Sequence, residues 1–225
     1  MNFPRRTQAA LLVLLGLSAL LLVSSCGRLI SAGGQSLEPA QLEAGAYALD
    51  PAHTAVLWKV YHLGFSQYVG RFGDVTGALD FDPARPNASS LVVVIEAASI
   101  DTGDPAFDRV LAGADWLDAG QFPQITYTAQ GAQALGPDSG TVLGTLTLGG
   151  VSAEVPMMVT FNGGAFNWLT GRETLGFAAS MQIDRTAFGI DTLAPAIGAE
   201  VEIEIHTEFV ARDHDEPVIA PDATG

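Results

Sequence analysis

The sequence is poor in cysteine and in positive charge. Among its 225 residues there is a single Cys, Cys26, so no intramolecular disulfide can form and a disulfide-stapled scaffold is excluded. Ten Lys and Arg stand against 25 Asp and Glu, a formal net charge of −15, and so much acid repels a phosphate backbone; no nucleic-acid partner is expected. Catalytic signatures are missing too. There is no Gly-x-Ser-x-Gly nucleophile elbow and no glycine-rich phosphate loop opening a helix. Charged residues make up only 16% of the chain and hydrophobic ones 48%, enough for one domain with a sizeable core, and part of that apolar excess is local.

The local part is residues 1–25. Arg5 and Arg6 give a positive start, residues 9–23 are almost unbroken aliphatic, and Ser24 and Ser25 lead with small side chains to Cys26. That order reads as a signal peptide, and the apolar run is shorter than the ~20 residues of a bilayer crossing. Leu22-Val23-Ser24-Ser25-Cys26 resembles a bacterial lipobox, which implies that Cys26 becomes the lipidated first residue and anchors the protein to a membrane of the cell envelope. Gly27 replaces the Asp that resembles an inner-membrane retention signal, which points to the outer membrane in a Gram-negative host. Cleavage leaves 8 basic against 25 acidic residues, a net charge of −17. Residues 26–45, rich in Ser, Gly, Ala and Gln, read as a flexible tether, and residues 213–225, with Pro217 and Pro221, as a disordered tail. The folded unit is residues 46–212.

Within that unit the dominant signal is a period of two, the mark of half-buried strands. In the last candidate Val201, Ile203, Ile205, Thr207 and Phe209 alternate with Glu200, Glu202, Glu204, His206 and Glu208. The same test gives Val56, Trp58, Val60 and His62; Val75, Gly77, Leu79 and Phe81; Ile95 and Ala97; Ile125, Tyr127 and Ala129. Further on come Val142, Gly144, Leu146 and Leu148, then Val155, Met157, Val159 and Phe161, then Phe177, Ala179, Met181 and Ile183. These are eight strands. Gly149-Gly150 reads as a tight hairpin and Phe161-Asn162-Gly163-Gly164 as another turn. Pro105 opens one short helix over residues 106–112, with Trp116 and Leu117 packing after it. Eight antiparallel strands can close into a barrel or stack as a sandwich.

Specific motifs narrow the choice. Tyr47-Ala48-Leu49-Asp50-Pro51-Ala52-His53-Thr54, Val60-Tyr61-His62-Leu63-Gly64, Gly70-Arg71-Phe72, Gly77-Ala78-Leu79-Asp80-Phe81-Asp82 and Ser99-Ile100-Asp101-Thr102 come in order, followed by Gln121-Phe122-Pro123, residues 144–151 and Ile183-Asp184-Arg185-Thr186-Ala187-Phe188-Gly189. Over nearly all of residues 46–212 this resembles the YceI-like family. The resemblance implies an all-β, eight-stranded, antiparallel, lipocalin-like barrel with one short helix, in the bacterial periplasm. It implies a long apolar ligand inside: a polyisoprenoid, an isoprenoid quinone, or a fatty acid or its amide. Where the family often has Arg-Asp-x-His-Leu, this chain has Phe107-Asp108-Arg109-Val110-Leu111 and lacks the Arg and the His.

The charges then fix which side is inside. Lys59, Asp80, Asp82, Glu96 and the Glu row of the last strand face water, because an ionised group is costly in an apolar interior. The opposite parity lines the interior, where Gly77, Ala97, Gly144 and Ala179 would leave space. A chain of some 15 carbons could gain ~12 kcal/mol gross at ~0.8 kcal/mol per CH₂. The expected ligand-lining set is Val56, Trp58, Val60, His62, Phe72, Phe81, Ile95, Phe122, Tyr127, Phe177, Met181, Arg185 and Phe188.

Each polar candidate has a plainer role beside the functional one. His62 could bond a ligand head group or simply the backbone. His53 sits after Asp50-Pro51-Ala52 and reads as part of an Asx turn. His53, His62 and His206 should not converge, so no metal is expected. Arg185 could meet an anionic head group or pair with Asp108 or Asp184, and Trp116 and Phe122 could cap one barrel end. No cofactor beyond the bound lipid is expected, and the oligomeric state is not legible. The reading is a lipid-anchored, non-enzymatic binding protein that sequesters or carries an amphiphile. The alternatives are an enzyme or redox accessory acting on the ligand head through His62, and a structural lipoprotein with a filled barrel. Membrane-extracted protein should begin at an acylated Cys26 by intact-mass analysis; an unmodified thiol there would contradict the anchor.

Overall fold

The structure, a computed structural model, describes Ser36 and residues 38–212. The expected leader, Cys26 and the tail over 213–225 lie outside the described residues. The strands are β1 (Gly45–His62), β2 (Ser66–Phe72), β3 (Val75–Phe81), β4 (Ser90–Glu96), β5 (Ile100–Asp101), β6 (Gln124–Gln130), β7 (Gln133–Ala134), β8 (Ser139–Leu148), β9 (Val151–Asn167), β10 (Arg172–Asp184) and β11 (Ile197–Ala211). One α-helix, α1 (Pro105–Leu111), follows β5.

Eight of these strands, β1, β3, β4, β6, β8, β9, β10 and β11, form an antiparallel ring that β1 closes by pairing with β11. Closure removes the free edges of the ring and sorts each strand's alternating residues into an inner and an outer set. The expected parity holds: Trp58 pairs with Ile203 inside, while Lys59 pairs with Glu202 outside and its ammonium binds the carboxylates of Glu202 and Glu204. Gly149 and Gly150, at φ 58° and 75°, make the two-residue turn between Leu148 and Val151, a backbone shape that costs glycine little.

Three short strands lie outside the ring. The first half of β1 pairs with β3 and its second half with β2, which in turn pairs with β5. Between the halves, the register against β11 shifts from Asp50 opposite Glu208 to Ala55 opposite His206, so Pro51, Ala52 and His53 bulge outward while Thr54 stays on the cavity side. The turn expected at Phe161–Gly164 is not one: β9 runs through it, and Asn162 is an extra residue where Gly176 faces Gly163 and Phe177 faces Phe161. The Asn-Gly-Gly letters mark a bulge, and the chain reverses only at residues 168–171.

Part of the expected tether is held. Residues 39–41 form a 3₁₀ turn, Leu42 packs on the core, and Ser36 exchanges two backbone hydrogen bonds with Gly164, at 2.9 and 3.0 Å.

For description, the end holding α1 and the β8–β9 turn is called upper, and the end holding the β9–β10 turn lower. Around Tyr127, Leu146, Met157 and Ile183 one buried cluster fills the upper part, and Tyr47, Leu49, Phe161, Leu175 and Phe209 form another below. A third cluster, Trp58, Ile100 and Leu111, lies under α1, and among the described residues the buried members of all three clusters fall within residues 45–211, with Leu42 packed against the second.

Glycine inside the barrel does not leave the space expected of it. A Cβ on Gly144 would stand 2.4 Å from the Tyr127 ring, and one on Gly77 2.9 Å from the Val92 carbonyl and 3.3 Å from Leu49. The large neighbour already occupies the place of the missing side chain. Tyr127 is pinned there, its hydroxyl donating to the Val155 and Val142 carbonyls at 2.9 and 3.2 Å. Gly144→Ala should therefore cost about 1–3 kcal/mol in thermal unfolding, whereas Gly120→Ala, with nothing within 4 Å, should stay within about 0.5 kcal/mol of the parent. Equal melting temperatures would contradict this packing.

Candidate functional site

The inner row encloses a cavity of about 770 Å³. Close-packed interiors hold few voids larger than a water molecule, and ligand sites run from roughly 300 to 1,000 Å³, so this barrel is a container and not a filled core. Val56, Trp58, Val60 and His62 of β1, Phe72 of β2 and Phe81 of β3 lie on its wall. Ile95, Tyr127, Phe177, Met181 and Arg185 join them from the later strands and the turn after β10.

Phe122 and Phe188 do not line it. The Phe122 ring lies over the β8–β9 turn, 2.5 Å from where a Gly150 Cβ would be, and Phe188 is buried in the upper cluster. Both belong to sequence motifs that shape turns at the upper end, and an aromatic letter in a turn carries no inward parity.

The upper end is closed by a lid that periodicity does not reveal. Asp104 caps α1 by accepting from the Ala106 amide, and Pro105 supplies the first-turn φ without needing a bond. Asp108 accepts from the Thr102 amide and hydroxyl at 2.8 and 2.6 Å, fixing the helix to β5. Phe107 and Leu111 then face the cavity together with Trp116 and Leu117. Tyr68 lies between the Trp58 ring, stacked at 6.0 Å, and the Phe107 ring, edge-on at 5.5 Å. Asp108 and Leu111, the parts of the family pattern kept in this chain, hold and seal the lid, while Phe107 stands where the pattern has Arg. Among the lining residues absent from the expected set, Tyr68, Phe107 and Leu111 close the upper end. Alternation in Gln67, Val69 and Arg71 against Tyr68 and Phe72 was the available signal for β2, but Gly70 interrupts it. That glycine gives Trp58 its place: a Cβ there would sit 2.3 Å from the indole.

Arg185 is 4% exposed and bonded to the main chain. Its guanidinium donates to the carbonyls of Ile190 at 2.7 Å, Gly198 at 2.8 Å and Ile197 at 2.9 Å, and lies 5.5 Å over the Trp116 ring. It makes neither of the expected ion pairs: Asp108 is engaged with Thr102, and Asp184 accepts from the Thr186 amide and hydroxyl. Burial pulls the guanidinium below its ordinary value against the pull of Asp184 and Asp191, and the group ties the turn after β10 to the start of β11. Tyr127, desolvated on the wall, is pushed up to about 12 and stays a neutral donor.

The histidines separate as expected. His62 is exposed at the upper rim, and its imidazole makes no hydrogen bond or ion pair among the described residues. His53 binds the Asp50 carboxylate at 2.7 Å while the Ala52 amide donates to the other oxygen, which is the Asx turn. Each shifts the other: the Asp50 carboxylate raises the imidazole above 6.5 and is itself held below the usual carboxylate range. His206 pairs with Glu204 on the outer face. Asp50, His53 and Glu208 come within 4.8 Å of one another at the bulge, an arrangement the Asx turn and the ion pair already account for.

The cavity also reaches the surface below. There its rim is built by Pro83, Pro86 and Ser89 from the β3–β4 loop, by Ala134 of β7 and by Pro137 and Asp138 just after it. Backbone bonds from Gly131 to Ser89 and from Ala132 to Pro86 join the two loops.

Comparison with known proteins places this architecture. The chain matches the family described as YceI-like domain over residues 47–209. It is 34% identical over 164 residues to a UPF0312 protein of Pseudomonas putida strain W619, covering 72% of this chain and 84% of that protein. The structure is similar to that of Burkholderia cenocepacia BcnA, with 27% identity, a TM-score of 0.65, and coverage of 71% and 98% of the two chains. It also has the fold of a polyisoprenoid binding domain from Saccharophagus degradans, at 15% identity and a TM-score of 0.59 over 76% of this chain and all of that one.

The bonding of Arg185 yields a test of its role. Arg185→Gln should destabilise the protein by about 3 kcal/mol or more, since at least two buried carbonyls lose charged donors, while Arg85→Gln on the exposed surface should leave stability within about 0.5 kcal/mol. Unchanged stability in Arg185→Gln would make the guanidinium a ligand group and not a structural tie.

Proposed function

The chain belongs to the YceI-like domain family, and on that premise we propose that it is a lipid-anchored binding protein of the bacterial envelope, not an enzyme. In this reading it holds a long-chain amphiphile, such as a polyisoprenoid, an isoprenoid quinone or a fatty amide, within the barrel. The observation that carries the proposal is the cavity itself, about 770 Å³ walled by aliphatic and aromatic side chains. Its one buried cation, Arg185, is bonded to three carbonyls, so the wall offers apolar contact along its length and polar groups chiefly at the rims. Such a wall suits a tail and discriminates little among tails of similar width. The Saccharophagus neighbour, described as polyisoprenoid-binding, agrees in fold; the ligand class here rests on the lining.

Burying some 15 methylenes supplies about 12 kcal/mol gross, from which the loss of rigid-body and chain freedom is subtracted. The binding is driven by the tail, and His62 at the rim contributes at most a head-group contact. Anchoring through Cys26 would hold the carrier beside the bilayer from which such a ligand comes.

Protein purified from its own host should show a bound long-chain species by native mass spectrometry. Ala179→Trp, which fills the middle of the cavity, should lower affinity for a long-chain amide at least tenfold while the protein stays folded, and His62→Gln should change it only a few-fold. Repeated recovery of an empty barrel that binds neither quinone nor amide would overturn the proposal.

A further inference from the structure

Residues 119–171 carry only two charged side chains, Asp138 and Glu154, so a nearly uncharged sector runs from β6 through β8 and β9 to the β9–β10 turn. Residues 155–171, most of β9 and the β9–β10 turn, contain no Asp, Glu, Lys or Arg. At the tip Phe166, Trp168 and Leu169 are 66%, 70% and 74% exposed, large apolar side chains whose removal from water is favourable. Met158 and Leu143 continue the uncharged strip on the outer face of β9 and β8. A hairpin tip of Trp, Phe and Leu, with Glu173 opposite Phe166 and Arg172 opposite Asn167 at its base, matches the chemistry of the membrane–water interface.

The start of the described chain lies on this same hairpin. Ser36 is bonded to Gly164, three residues before the end of β9. From Cys26 to Ser36 is ten residues, a reach of at most about 36 Å. A membrane anchor at Cys26 would therefore start from the β9–β10 side of the barrel, nearer to that tip than to the far end. The upper end has apolar residues of its own on the β1–β2 turn, with Phe65 88% exposed. It also carries acid: residues 97–123 hold Asp101, Asp104, Asp108, Asp115 and Asp118 against Arg109, with Arg71 paired to Asp101, and anionic head groups repel such a collar.

We infer that the β9–β10 tip is a bilayer-docking element that seats Phe166, Trp168 and Leu169 in the head-group region. This turns the lower rim of the cavity, between the β3–β4 loop and the loops flanking β7, toward the lipid. The ligand then passes between bilayer and barrel without crossing water. The orientation extends the proposed anchoring at Cys26; insertion of the tip is a property of the hairpin and is tested apart from acylation.

For the test, residues 26–225 with Cys26→Ser are tethered by an N-terminal hexahistidine to phosphatidylcholine vesicles carrying a nickel-chelating lipid. An environment-sensitive fluorophore is placed at Leu169→Cys or, in a second sample, at Phe65→Cys. The fluorophore at 169 should brighten, shift to the blue and be quenched by nitroxide-labelled lipid, and that at 65 should show none of this. Adding Phe166→Ser and Trp168→Ser to the 169 sample should abolish the quenching while circular dichroism stays unchanged. Quenching at 65 equal to or greater than at 169, or none at 169, overturns the inference. Because the histidine tether replaces the acyl chain, this result stands whether or not Cys26 proves to be acylated.

Discussion

Closure of one antiparallel sheet by the β1–β11 pairing is the constraint from which the remaining features follow. A closed ring has a single interior, and strand pleating sends every second residue into it. With eight tilted strands that interior is wide enough for side chains or for one slender ligand, and the choice between them falls to side-chain volume. Here large residues are set against small ones in a way that packs both ends of the barrel, with Tyr127 over Gly144 above and the Phe161, Phe177 and Phe209 rings below, and leaves the axis free.

The ends of the ring are solved differently. Above, a short helix and β2 lay Phe107, Leu111 and Tyr68 across the opening, held by Asp108 and by the Arg185 tie. Below, loops rich in Pro, Gly and Ala surround the opening, and the chain preceding the barrel is fastened to the neighbouring hairpin through Ser36. The upper end is thus crossed by side chains, while the lower opening is bounded by loops joined through backbone hydrogen bonds.

Much of this was legible in the sequence, because alternation is a local property that a closed sheet preserves. All eight ring strands and their inward parity follow from letters such as Val201, Ile203 and Ile205 set between glutamates, and eleven of the thirteen expected lining residues lie on the wall. The failures have physical reasons. Asn162-Gly163-Gly164 looks like a turn because bulges and turns draw on the same residues. Gly77 and Gly144 look like empty space because a sequence does not say which neighbour leans into a gap. Arg185 looks like half of an ion pair because backbone carbonyls, its actual partners, are the same in every residue. Phe107 and Tyr68 were hidden since seven helical residues and an interrupted strand are too short to show a face.

The central claim is that the ligand tail lies along the barrel axis and touches the inward row. It is tested most directly by methyl-resolved NMR during titration with a long-chain amide. The account predicts intermolecular contacts from the tail to the methyls of Leu146, Val159, Met181 and Ile203, with the outward methyls of Leu143 and Met158 unaffected. Contacts confined to the outward methyls, or an interior spectrum that does not change at saturating amide, would contradict it.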